Sequence, residues 1–298
     1  MSPANQPRQT KAERTAAARE KARQIREAQQ KRERRNKLLI RWGVVVALVA
    51  VIAVVALVVT TSMRQNAPIG DTGPRAANTN QYGGVTLGKG SAVTPVPAST
   101  VNVADVPSAT SKPTQGQPAN APAVEASPKG QPVKVVMYID FICPICKQFE
   151  DTYGSKLTQE RNDGKITLEY RPLGFLDQQS TTNYSSRAAA AAAAVANSHP
   201  DKYADFINAL YAQQPGEGSA GLTDQKLKDI AKGLGADIDQ AVDDKTYRPQ
   251  VKYDTQLAAS SGVSGTPTVF VDGKQWGVGA AANTPFDQFL DAAVAAKG

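Results

Sequence analysis

The chain is poor in cysteine and nearly empty of histidine, with two Cys and one His among 298 residues. The first shortage excludes a disulfide-stapled scaffold, and the second excludes a metal centre built from several imidazoles. Other absences narrow the chemistry further. No phosphate-cradling glycine loop, no pair of catalytic carboxylates and no Ser-His-Asp signature stands out, and there is no internal repeat. Basic charge is also missing from most of the chain. Residues 1–41 hold thirteen Lys or Arg against four Glu, which leaves twenty-one basic and twenty-three acidic side chains for the remainder. The net charge of +7 therefore belongs to a tail. The later residues have no cationic excess with which to neutralise phosphates, so nucleic acid is excluded as a partner.

Charge disappears altogether between Gly43 and Thr61, nineteen residues reading GVVVALVAVIAVVALVVTT. As a helix this run spans about 28 Å, close to the hydrocarbon thickness of a bilayer. It lacks the polar stripe of a core helix, and the long polar segment before it does not fit a signal peptide. The reading is an uncleaved transmembrane anchor over residues 42–62. Lys31, Arg32, Arg34, Arg35, Lys37 and Arg41 crowd its N-terminal flank, while Arg64 alone lies close on the other. That asymmetry predicts a single-pass protein with the N-terminus cytoplasmic and the C-terminal part extracytoplasmic. The 1–41 tail, rich in helix formers but with almost no apolar face, reads as a solvated or disordered segment that sets topology and touches membrane lipid.

Large apolar residues become scarce again over residues 63–130, where Ala, Pro, Thr, Ser, Asn, Gln and Gly dominate. This composition predicts a disordered linker able to hold the next domain tens of ångströms from a bilayer, with a short strand over Gln81–Gly90 not counted. The folded domain is expected at 131–298. Val133 to Phe141 (VKVVMYIDF) has the β-branched, apolar character of a buried strand. A helix opens at Cys143-Pro144 and places Cys146, Phe149 and Tyr153 on one face. KITLEYR alternates as a second strand. Residues of about 183–261 read as a helical insertion, with stripes such as Tyr203, Phe206, Ile207, Leu210 and Tyr211, and a cap at Thr223. TVFV, Asp272-Gly273 and KQWGV make a hairpin, and a last helix is capped by Thr284 with Pro285 first. The order implies an α/β layout.

Both cysteines, Cys143 and Cys146, fall at the strand-to-helix junction with only Pro144 and Ile145 between them. A helix start lowers the pKa of Cys143 through unpaired amides and the helix dipole, which makes it the candidate nucleophile. Cys146, one turn further in, is placed to resolve a mixed disulfide. Three other uses stay open. A structural disulfide would close a very short loop and restrict the unfolded chain little. A zinc site would need more ligands than His199 can add, so no metal is expected. Covalent haem attachment needs His where this chain has Lys147. His199 itself, in NSHP, reads as a surface or capping residue. Asp140, three residues before Cys143, is either a carboxylate that moves protons for the thiols or a solvated strand end.

The segments YIDFICPICKQFE and GVSGTPTVFVDGK, separated by an alanine-rich helical insertion, resemble the DsbA-like thioredoxin-fold family, in particular its membrane-anchored actinobacterial forms. The resemblance covers about residues 131–298. It implies a thioredoxin-like fold, a cis peptide bond at Thr266-Pro267 facing the CxxC, and substrate binding by Thr266 and Pro267, with the Thr266 backbone pairing to an extended client. It also implies protein disulfide oxidoreductase activity without a cofactor, clients among the thiols of exported proteins, and a quinone-linked membrane thiol oxidase as redox partner. Many relatives have His where this chain has Ile145, so the thiolate loses one stabilising neighbour and a milder oxidant is expected. Ile142 before the first cysteine, and the 120 residues between Cys146 and Pro267, favour an oxidase over a reductase of the thioredoxin type. An anchored reductase or isomerase and a redox-inert binding module are the alternatives.

Overall fold

The computed structural model describes residues 11–108 and 118–297. The first ten residues of the basic tail, and 109–117 of the expected linker, lie outside the described residues. The chain divides into two units, Met1–Thr61 and Ser62–Gly298.

The described residues of the first unit are helical. Helix α1 runs without a break over Lys11–Gln65 and carries both the basic tail and the apolar run. The helix formers of residues 11–41 thus prevail over disorder, and an Arg23–Glu27 ion pair at 3.0 Å bridges one turn. The side chains at residues 41–60 are all exposed, a ring of Val, Leu, Ile and Ala that water solvates poorly. By length and composition this helix can cross a membrane.

The second unit is built on a five-stranded sheet whose strands, in order across it, are Val85–Leu87 (β2), Ile166–Pro172 (β5), Val133–Ile139 (β4), Thr268–Val271 (β6) and Lys274–Gln275 (β7). Strand β4 is Val133–Ile139, and it lies parallel to β5, Ile166–Pro172, as the intervening helix α2 (Pro144–Asn162) requires. Strands β6, Thr268–Val271, and β7, Lys274–Gln275, form the expected hairpin, with β6 antiparallel to β4. Between β5 and β6 the insertion folds into α3 (Tyr184–Ser198), α4 (Tyr203–Ala212), α5 (Asp224–Gly233), α6 (Asp239–Asp243) and α7 (Arg248–Ser260). Thr223 caps α5 as its sequence implied, accepting from the Lys226 amide. Helix α8 spans Phe286–Ala295, so Pro285, not Thr284, is its cap.

Strand alternation divides the core. Val133, Val135, Met137 and Ile139 of β4 face Phe149 and Leu157 of α2 and the alanine-rich α3. Val136 and Tyr138 turn to the opposite face, with Phe270, Ala258 and Val263. Alanines from 188 to 196 are buried along most of α3, so this helix approaches its neighbours closely and is not merely a strong helix former. Behind Cys146 an aromatic cluster ties α2 to α8: Phe149 lies 4.8 Å from Phe286 and 5.8 Å from Trp276, centroid to centroid.

The disordered linker is the expectation that the structure corrects. Thr72–Arg75 (β1) pairs with Ser99–Asn102 (β3), and Val85–Leu87 (β2) joins the main sheet along β5. Val85, Leu87 and Ala76 are buried, as are Ala121 and Val124 further along. The attachment is polar as well as apolar. Glu169 of β5 accepts from Arg171 at 2.6 Å, from Asn80 at 3.0 Å and from Thr86 at 3.0 Å, so the N-terminal segment completes the shell of a buried carboxylate. Gly84 is required there, since a Cβ would stand 2.0 Å from Glu169 Oε1. The sheet domain therefore begins near residue 70, well before Gln131.

Candidate active site

Strand β4 ends at Ile139, and a three-residue turn delivers Cys143 to the start of α2, where it is the N-cap and Pro144 follows as the first helical residue. The Cys143 Sγ accepts from the Cys146 amide at 3.4 Å, as a capping side chain does. Cys143 and Cys146 are both free thiols, and both are buried, at 4% and 1% exposure. Across from them the Thr266–Pro267 bond is cis, and the Cys143 thiol donates to the Thr266 carbonyl at 3.2 Å. The structure thus brings the CxxC and the Thr266-Pro267 pair into one site, although they lie over a hundred residues apart in sequence.

The two thiols are pushed in opposite directions. Cys143 falls to about 6, chiefly because the Cys146 thiol donates to it; burial opposes this, and the amides of Cys146 and Ile145 together with the Thr266 side chain outweigh it. Cys146 is pushed far up by burial, by donating to Cys143 and by the neighbouring thiolate charge. At neutral pH this gives one thiolate at the helix start and one protonated thiol behind it. Ile145 stands 57% exposed beside them, with no charge to add.

Asp140 is fully buried, which disposes of a solvated strand end. Its Oδ1 accepts from the Ile142 amide at 3.0 Å and the Ser185 hydroxyl at 2.6 Å, and its Oδ2 from the Leu176 amide at 2.9 Å. Burial nevertheless raises it to about 7, ahead of those three stabilising bonds. The carboxyl joins the cysteine turn, the loop after β5 and the start of α3. Glu150, one turn beyond Cys146, is likewise pushed to about 7 by burial, with Tyr170 as its hydrogen-bond partner.

Sequence reasoning missed Ser185, Tyr211 and Gln214. The Gln214 amide donates to the Phe141 carbonyl at 3.1 Å and to that of Cys143 at 2.9 Å, bracing the turn from the insertion. Phe141 packs on Tyr211 at 5.4 Å. Tyr211 carried a signal, its place in the apolar stripe of α4, but Gln214 sits in an ordinary turn sequence and carried none. His199 is set apart at the far end of α3, where it serves as C-cap and its Nδ1 lies 2.9 Å from the Ser198 hydroxyl. Among the described residues no group of His, Cys, Asp or Glu is arranged to hold a metal ion.

The thioredoxin family profile matches residues 129–292, more than half of the chain. The chain belongs to the thioredoxin family. Among its relatives in that family, disulfide bond formation protein D of Bacillus subtilis is 28% identical over 148 residues, covering 48% of this chain and 64% of that protein. The serine/threonine-protein kinase PknE of Mycobacterium tuberculosis is 32% identical over 150 residues, covering 47% of this chain. That stretch is only 26% of the kinase, so the chain spans about a quarter of the length of this relative. The reduced DsbA of M. tuberculosis superposes with a TM-score of 0.46 at 27% identity, over 64% of this chain and 98% of that one. The profile match bears out the thioredoxin fold expected from the two motifs, and the helical insertion lies between the CxxC half and the cis-proline half.

Proposed function

We propose that this domain is an oxidase that exchanges a Cys143–Cys146 disulfide with the thiols of exported proteins. The observation that carries the reading is the opposed ionisation of two adjacent sulfurs, Cys143 low at about 6 and Cys146 held protonated by burial. In the oxidising direction a client thiolate attacks Cys143 Sγ, the Cys143–Cys146 bond breaks, and the electron pair and a proton collect on Cys146. A second client thiolate then attacks the client sulfur of the mixed disulfide and expels Cys143 as its stabilised thiolate. The client gains one disulfide and the domain two electrons. Cys143 is the exchange nucleophile, and Cys146 resolves the mixed disulfide in the reverse direction. Thr266 and Pro267 are the client-binding residues: the Thr266 carbonyl already meets the Cys143 thiol and lies where an extended client chain would pair.

The relatives named for disulfide bond formation support the oxidising direction. The reading includes α1 as a single-pass anchor over 42–62, the basic tail in the cytoplasm, and the domain outside it, supported by the flanking charge asymmetry. Reoxidation then falls to a quinone-linked thiol oxidase in the membrane. Trapping tests the whole reading: Cys146→Ala, expressed in a native-like host, is expected to accumulate Cys143-linked adducts of exported, multi-cysteine proteins. Adducts with a haem-attachment protein would reverse the direction to reductase, and the absence of adducts, with activity intact in Cys143→Ser, would leave a redox-inert module.

A further inference from the structure

A small cavity that no residue of the CxxC or of Thr266-Pro267 lines is bordered by Gln65, Arg187, Asp224, Lys245 and Arg248, over a floor of alanine and valine from α3 and α6. Three cations and one carboxylate line it. The carboxylate is engaged, since Asp224 accepts from Arg187 at 2.8 Å and also from the Gln65 amide. Arg187 is saturated, with further bonds to the Thr182 carbonyl, the Thr182 hydroxyl and the Ala220 carbonyl. Lys245 donates to the Arg64 carbonyl.

Arg248 is different. It is 5% exposed, its Nε has no hydrogen-bond partner, and no carboxylate pairs with it among the described residues. Asp177, the acid that acts most strongly in its favour, is occupied by the Ser186 amide and hydroxyl. A buried guanidinium without a counter-ion is costly, and its fork of donors matches phosphate oxygens. Lys245, which brings the second cation to the rim, holds a φ of 55°, a left-handed conformation that a lysine adopts only under constraint.

Connectivity gives the occupant. Gln65 borders the cavity and is four residues beyond the end of the apolar run at Thr61. In an anchored chain that covalent connection keeps Gln65 within about 14 Å of the end of the run, in reach of the headgroup layer of a bilayer. The free space is about 10 Å³, enough for one oxygen atom, so a phosphoryl oxygen enters while its lipid stays outside.

We propose that Arg248 and Lys245 bind the phosphate of an anionic phospholipid headgroup at the foot of the domain. The proposal rests on the reading of α1 as a membrane anchor. It is tested with the full chain, purified from mixed phosphatidylglycerol and phosphatidylcholine nanodiscs, by counting retained lipids in native mass spectra. Wild type is expected to keep one phosphatidylglycerol in preference to phosphatidylcholine. Arg248→Met and, separately, Lys245→Met are expected to weaken that retention about tenfold each, the factor carried by one charge-assisted hydrogen bond. Thermal unfolding and the thiol reduction potential identify a folded variant, and Lys245→Met, at the rim, serves if Arg248→Met does not fold. Retention without lipid preference, or unchanged in a folded variant, overturns the proposal. Displacement of the lipid by millimolar inorganic phosphate overturns the lipid source in favour of a free-anion site. Alkaline carbonate extraction reports the anchor separately: release of the chain overturns both readings, whereas a retained chain without lipid selectivity overturns this one alone.

Discussion

The Ser185 hydroxyl lies 2.6 Å from Oδ1 of Asp140, so the first turn of the insertion is hydrogen-bonded to the residue that follows the central strand. Three donors point at this one carboxyl, yet burial sets its ionisation near 7 against an ordinary 3.8. The unfolded chain releases the proton near pH 4 and the folded chain near pH 7. Between those values the folded state holds the extra proton, so the contribution of Asp140 to stability is full below pH 4 and declines as pH rises to 7. Asp140→Asn removes that decline. The difference in unfolding free energy between wild type and variant is expected to change by up to about 1.4 kcal/mol per pH unit across this window. Urea titrations at pH 4, 5.5 and 7 measure it, and parallel profiles would contradict the assignment.

The ionisation of Cys143 near 6 predicts how the reduced domain reacts. Alkylation by iodoacetamide should rise from pH 4 to 6 and level off by pH 7.5, because the thiolate is the reacting species. Peptide mass spectrometry should find the label on Cys143 with Cys146 unmodified. Labelling of Cys146 first, or a midpoint above 8, would reverse the two roles.

Ile145 occupies an exposed position between the sulfurs, and its side chain gives the thiolate no charge or hydrogen bond. Ile145→His should lower the Cys143 pKa and make the domain more oxidising, by about 30 mV for each unit of pKa. Equilibration with glutathione buffers measures the potential. A wild-type value already near that of the strongest oxidants, about −120 mV, would be inconsistent with this account.

Leu87 is fully buried in β2, within the stretch whose composition looks like a linker. Leu87→Ala is expected to cost about 2–5 kcal/mol, the range for a truncated core leucine, where a true linker residue would cost nothing measurable. A fragment beginning at residue 131 should unfold at lower urea than one beginning at residue 66. Equal midpoints would restore the linker.

The parts of the fold that were legible in the sequence are those where one residue type repeats at the period of its element. The apolar strand from Val133, the stripe of α4 and the charge-free run of α1 are of that kind. The cysteine spacing was legible because its chemistry depends on a single helical turn. What escaped is held by contacts between distant segments. Strand β2 contributes only Val85 and Leu87 to the core, too short a pattern to register, and Gly84 just before it packs closely against Glu169 where composition reads glycine as flexibility. Gln214 acts through two carbonyls of a turn more than seventy residues earlier, and nothing local distinguishes it from a solvated glutamine.

Strand β1 begins at Thr72, seven residues after α1 ends at Gln65, so that in the anchored arrangement proposed above the tether between anchor and sheet is at most about 25 Å of extended chain. A linker of nearly seventy residues would let the active site search a wide volume outside the membrane. The folded N-terminal segment takes that freedom away. In that proposed arrangement so short a tether would keep the active site near the membrane, within reach of clients emerging from export and of a redox partner embedded there. Client choice would then be governed by where a cysteine appears during translocation as much as by the sequence around it.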